Sequence, residues 1–241
     1  MSRLRSLAAR GRSLLTGGER PFADREVHEG AGPVALRIGR FLDHVLYRTE
    51  VTGADRIPAE GGAIIAANHA GLLDGPLLYG AFPREGHIIV KREMFEVPVI
   101  GAVLHYSGQM GINRAGDRRT LSRAADLLKR GKLVGILPEG TRGTGAVSSI
   151  SSGVAWLAVA SGVPVVPAAV LGTRRTGTSR SWLPRPRTRL AVAFGDPVTV
   201  SKAEGESGRD TMNRAAEEIR TALAEHVRQA EARTGLRLPS A

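Results

Sequence analysis

The chain contains no cysteine. That excludes disulfide frameworks, cysteine-ligated zinc, iron–sulfur clusters and cysteine nucleophiles, and it leaves the compartment undecided. Aromatic residues are scarce, at 4%, which is poor provision for stacking on single-stranded bases. Lysine occurs only at Lys91, Lys129, Lys132 and Lys202, so arginine carries nearly all the positive charge. No Gly-x-Ser-x-Gly elbow occurs anywhere, so the strained serine nucleophile of that motif is absent. Long apolar runs are lacking too. Residues 143–173 carry no charge over 31 positions, but Ser148, Ser149, Ser151 and Ser152 crowd the first half. Pro164 and Pro167 interrupt the second. A spanning helix needs about 20 mostly apolar residues in a row, so this stretch reads as a buried helix followed by a buried strand. The first twelve residues hold four arginines and no acid, and no apolar run follows that would make a secretory signal. The expectation is a cytoplasmic protein.

What is present fits an α/β domain. The length is 241 residues, with 42% hydrophobic and 24% charged, enough for a sizeable core. The net charge is +11, which calls for an anionic partner, either nucleic acid or anionic lipid. Residues 1–32 read as a flexible basic lead broken by glycines. Residues 33–49 read as an amphipathic, membrane-associating helix. Val34, Ile38, Phe41, Leu42, Val45 and Leu46 share one face, and Arg37, Arg40, Asp43, His44 and Arg48 fall largely on the other.

Residues 50–241 read as one domain. After Ile57-Pro58 short apolar strands alternate with helices. Strands are expected at 63–67, 87–90, 110–112, 133–137, 163–170 and 190–194. Helices are expected from Asp74, over 97–106, from Asp117 to Gly131, over 150–160 and over 209–231. Asp74 and Asp117 stand as helix caps. The fold class is therefore α/β, with a mostly parallel central sheet flanked by helices.

Chemistry concentrates at strand ends. In Asn68-His69-Ala70-Gly71-Leu72-Leu73-Asp74 a strand gives way to a glycine-containing loop and then a helix. An aspartate on Nδ1–H would fix the histidine tautomer and leave Nε2 as a base. With no enzyme nucleophile in view, the substrate would bring its own hydroxyl. The other histidines show no metal-ligand spacing. Leu137-Pro138-Glu139-Gly140-Thr141-Arg142-Gly143 is a second strand-end loop, where open α/β sheets bind ligands. An arginine fork there suits phosphate. Gly108 to Arg114 delivers another arginine, and Val163-Pro164-Val165-Val166-Pro167 is an apolar strand with two prolines. Six arginines between Arg174 and Arg189, with no acid before Asp196, suit an anionic bilayer at about 1 kcal/mol each.

In this order the four blocks resemble those of the lysophosphatidate acyltransferase family of glycerolipid acyltransferases. Asn68, His69 and Asp74 match its Asn-His-x4-Asp block, and Gly108 and Arg114 match the second. Pro138, Glu139, Gly140, Thr141 and Arg142 match the third, while Leu137 and Gly143 depart from it. Val163, Pro164 and Pro167 match the fourth. The resemblance covers roughly residues 50–195.

It implies transfer of a fatty acyl group from acyl-CoA or acyl carrier protein to the sn-2 hydroxyl of lysophosphatidate, giving phosphatidate. His69 would be the general base and Asp74 its orienting partner. Asn68, Lys91, Arg114, Glu139, Gly140, Thr141 and Arg142 would bind substrate, with Arg114 and Arg142 on the phosphate. No metal or cofactor is implied beyond the acyl donor. The protein would sit peripherally or monotopically on the cytoplasmic face of the cell membrane, against an anionic surface. The same chemistry on a glycolipid or amino-acid lipid is the alternative. A non-catalytic basic protein binding lipid or nucleic acid is the reading from another class. Nucleic acid is not the expected partner, because no recognition motif accompanies the charge.

Overall fold

The computed structural model describes residues 32–113 and 117–240. The basic lead expected over residues 1–32 falls almost wholly outside that range. A seven-stranded sheet organises the chain, with strand order β1-β7-β6-β2-β5-β3-β4. The strands are β1 (Arg48–Thr52), β2 (Ala63–Ala67), β3 (Gly86–Lys91), β4 (Met110–Ile112), β5 (Leu133–Ile136), β6 (Val165–Leu171) and β7 (Arg189–Phe194). Strands β2 to β6 run parallel to one another, whereas β7 is antiparallel to β6 and β1 is parallel to β7. The mostly parallel α/β sheet expected from the sequence is what the chain forms.

Among the described residues, six α-helices flank the sheet: α1 (Gly32–Phe41), α2 (Asp74–Gly80), α3 (Pro98–Tyr106), α4 (Arg118–Lys129), α5 (Ser152–Ser161) and α6 (Gly208–Thr234). The period-2 alternation of β2 sorts its side chains between two cores. Ile64 and Ala66 join the core beneath α4, α5 and α6, while Ala63, Ile65 and Ala67 join the core beneath α1 and α2. Both faces of β2 are thus covered, which explains its unbroken apolar sequence. Asp117 caps α4 by accepting from the Arg119 and Thr120 N–H groups, and Gly162 closes α5 at φ 69°, as the sequence indicates. The uncharged stretch 143–173 divides into a loop, α5 and the fully buried β6. No helix among the described residues is long and apolar enough to cross a membrane.

Three expectations are corrected. Helix 33–49 ends earlier: α1 passes into a π-helical turn, Leu42–Leu46, and β1 begins at Arg48. Strand β1 was not expected at all. The two faces of α1 are also redrawn. Asp43 is fully buried, whereas Ile38, Phe41 and Val45 are exposed. Contact with α2 makes the difference, because Gly39 and Gly80 let the two helices approach so closely that a Cβ on either would collide with the other backbone. Finally, Asp74 does not cap α2. Leu73 holds the N-cap position without a side-chain bond, and the Asp74 carboxylate turns back onto the preceding loop.

Candidate active site

The parallel strands end at one edge of the sheet, and the chain divides there. From β2 it turns to α2 on one face, and from β5 to α5 on the other, opening a crevice between adjacent strand ends. The loop after β2 carries Asn68 to Asp74, and the loop after β5 carries Leu137 to Gly143.

Asp74 organises the first loop. It is fully buried, and its Oδ2 accepts from the backbone N–H groups of Ala70 (2.7 Å) and Gly71 (2.8 Å). The same oxygen lies 2.9 Å from Nδ1 of His69. A carboxylate has no proton to give, so Nδ1 carries the hydrogen, and in the neutral imidazole the lone pair is then on Nε2. Oδ1 accepts a 2.5 Å bond from the hydroxyl of Thr173, just beyond β6. Four donors thus hold both oxygens of one buried carboxylate, the condition under which burial of a charge is tolerated. The imidazole remains partly open to solvent, with 18% of its side chain exposed.

Asn68, beneath the histidine, is fully buried. Its Nδ2 donates to the Val170 carbonyl (3.1 Å) and its Oδ1 accepts from the Val170 N–H (2.7 Å). This paired contact extends the β2–β6 ladder by one side chain and fixes where His69 emerges. It places Asn68 fully buried under the loop, with its amide committed to the Val170 backbone.

Glu139 joins the second loop to the first. One of its oxygens accepts the His69 backbone N–H at 2.8 Å, while Gly143 N–H donates to the His69 carbonyl at 3.0 Å. Burial raises the Glu139 carboxyl above its ordinary range, and the backbone N–H groups of His69 and Val147 pull it partway back. Val147 is buried and holds φ at 56°, a left-handed conformation costly for a β-branched residue. Arg174 adds a third tie: its guanidinium donates to the carbonyls of Ala70 (3.2 Å) and Gly143 (3.1 Å), one on each loop.

The remaining sequence candidates are more dispersed. Gly140 and Thr141 lie exposed in the turn, with Gly140 at φ 66°. Arg142 is half-buried and donates to the Arg180 carbonyl at 2.9 Å, which fastens the long β6–β7 connection over this loop. Lys91 ends β3, two strands from β2 at the same edge. Arg114 lies outside the described residues. Sequence reasoning missed Thr173 and the bridging role of Arg174. No spacing in the sequence signals either; in the structure a Cβ on Gly71 would sit less than 3 Å from the Thr173 side chain.

Comparison with known proteins gives the family. Residues 48–171 match the acyltransferase family model, and the chain belongs to that family. Its sequence is 31% identical over 163 residues to the chloroplastic 1-acyl-sn-glycerol-3-phosphate acyltransferase BAT2 of Brassica napus, covering 66% of this chain and 47% of that one. It is 32% identical over 125 residues to the 1-acyl-sn-glycerol-3-phosphate acyltransferase of Bacillus subtilis, covering 51% and 62%. The chain spans about half the length of the curated relatives it matches. In fold it matches the crystal structure of the 1-acyl-sn-glycerophosphate acyltransferase PlsC of Thermotoga maritima, with a TM-score of 0.63. That match is at 24% identity, over 95% of this chain and 89% of that one.

Proposed function

We propose that this acyltransferase moves a fatty acyl group from acyl-CoA or acyl carrier protein to the sn-2 hydroxyl of lysophosphatidate. The observation that carries the reading is the His69–Asp74 pair, held at 2.9 Å at the strand-end crevice and stitched to the Glu139 loop. His69 Nε2 takes the hydroxyl proton as the oxygen attacks the thioester carbonyl. The tetrahedral intermediate then expels the thiolate, which recovers the proton from the imidazolium. General-base help contributes about 10²–10⁴-fold, and positioning supplies much of the rest. Arg142, Arg114 and Lys91 are the cations assigned to the acceptor phosphate, and Gly140 and Thr141 offer backbone and hydroxyl groups beside it. The named activities of the relatives support lysophosphatidate as acceptor. The arginines of residues 174–189 and the exposed cations of α1 support peripheral association with an anionic membrane.

The test is purified protein with acyl-CoA and lysophosphatidate, following release of free thiol and formation of phosphatidate. Thiol release with a glycolipid but not with lysophosphatidate would move the acceptor assignment to the alternative reading. No release with any lipid acceptor would remove the enzymatic one.

A further inference from the structure

Eight of the ten exposed large hydrophobic side chains among the described residues lie within two short stretches, 38–45 and 97–106. The first holds Ile38, Phe41 and Val45, each more than half exposed. The second includes Val99 at 76%, Val103 at 59% and Tyr106 at 52%. Scattered surface hydrophobics need no explanation, but a concentration of this kind does.

Among the described residues, helix α3 is left largely uncovered. Its sequence PVIGAVLHY carries no acid, lysine or arginine. An apolar helix of a soluble domain is expected to be buried, yet the one residue α3 buries is Gly101, seated on the Phe95 backbone. The exposed side chains at 99, 103 and 106 follow the i, i+4, i+7 spacing of a single stripe.

The two stretches lie on one side of the sheet. Helix α1 covers the same core as α2. The crossovers β2–α2–β3 and β3–α3–β4 both advance in the same direction along the sheet. Right-handed crossovers therefore put α2 and α3 on the same face. Gln109, between α3 and β4, lies beside the Tyr79 hydroxyl of α2, in agreement with that placement. The start of α3 follows the end of β3, and the turn after α1 leads into β1. The exposed residues near 41–45 and 97–100 therefore border the strand edge where His69 lies.

We propose that α3 is a second, uncharged bilayer-inserting element, which with the apolar stripe of α1 forms one membrane-facing surface beside the candidate active site. The occupant is a lipid bilayer with anionic headgroups. On α1 and the π-helical turn after it, the exposed apolar residues alternate with exposed Arg37, Arg40 and His44, the mixture that suits an anionic interface. A second copy of the chain fits less well, because a symmetric contact through α1 would bring these arginines against their own copies. The proposal extends the membrane part of the function proposed above. It divides the labour: arginines supply a salt-screened attraction, and α3 supplies an apolar contact that salt does not screen.

The experiment uses the full chain and vesicles of phosphatidylcholine with about one third phosphatidylglycerol, in low salt and in about 0.5 M salt. A Val99→Trp variant should show a blue-shifted emission that is quenched by lipids brominated in their tails. The double variant Val99→Asp/Val103→Asp should bind at least about tenfold more weakly at high salt. Trp156→Asp on α5, on the opposite face, adds acid at a partly exposed site and should change binding little. Thermal melting of each variant verifies the fold. Unquenched Val99→Trp fluorescence, or unaltered high-salt binding of the double variant, would overturn the proposal. So would a wild-type dimer in ultracentrifugation that Val99→Asp dissociates. Vesicle binding requires no turnover, so a protein that binds as described but acylates nothing would sink the proposed reaction and leave this surface standing.

Discussion

The hydroxyl of Thr173 donates to Oδ1 of Asp74 across 99 positions of sequence, and both side chains are almost wholly buried. Thr173 is buried and its hydroxyl is bonded to Asp74, so it acts through the carboxylate. Thr173→Val keeps the shape and removes the donor. A hydrogen bond to a charged group contributes about 1.5–3 kcal/mol, so kcat should fall by about tenfold or more with KM little changed. Thr173→Ser should recover most of the rate. Equal rates in the valine and serine variants would show that the bond does not position the pair.

His69→Ala should lower turnover by about 10²-fold or more. The imidazole is partly open, and its chief side-chain partner is Asp74, so thermal stability should stay near wild type. Near-normal turnover in a folded variant would remove the base assignment.

Arg142 tests acceptor choice. Its guanidinium is oriented by the Arg180 carbonyl, and a lysine cannot reproduce a planar fork. Arg142→Lys should lower kcat/KM for lysophosphatidate by about tenfold or more, with a much smaller loss for an uncharged monoacylglycerol. The ratio of the two acceptors is the quantity to measure, because a folding defect would lower both together. An unchanged ratio would separate Arg142 from the phosphate.

Asp43 predicts a pH dependence of stability. It is fully buried below α1, and its oxygens have no well-formed hydrogen bond. Burial raises its carboxyl from 3.8 to about 7, and the adjacent Thr49 hydroxyl pulls the other way by less. The folded chain therefore keeps a proton between pH 3.8 and about 7 that the unfolded chain has released. This contribution to stability is full below the lower value and is lost as pH rises through the upper one. Asp43→Asn should raise Tm above wild type at pH 8 and change it little near pH 4. Parallel melting profiles for the two proteins across that range would refute the assignment.

Much of the architecture is legible in the sequence, because β2, β5 and β6 are short apolar runs between turn residues and α4 carries a clear stripe and cap. The His69–Asp74 pairing is legible as well, since five residues across a turn bring both side chains together. Thr173 is not, because one hydroxyl after a strand has no spacing signature and meets Asp74 only through β-sheet packing. Asp74 was expected as a cap because aspartate before Gly-Pro satisfies local chemistry. The tertiary demand of the preceding loop overrides it. Asp43 belongs to the polar stripe by periodicity, but the close Gly39–Gly80 contact and the π-helical turn rotate it inward. Strand β1, Arg-Thr-Glu-Val-Thr, is hard to recognise because charged and polar residues dominate it and its partner is remote.

That remote pairing has a consequence for the order of assembly. Among the described residues strand β1 pairs with β7 alone, and Glu50 meets Arg189 at 3.1 Å over a separation of 139 residues. On a ribosome, Arg48–Thr52 emerges long before its template, Arg189–Phe194. Until β7 is made, α1 is tethered to the nascent domain chiefly through its contact with α2. Closing a loop of this length is slow, so this edge of the sheet is expected to zip last. A nascent chain paused before residue 189 would therefore present α1 as a loose, lipid-seeking segment.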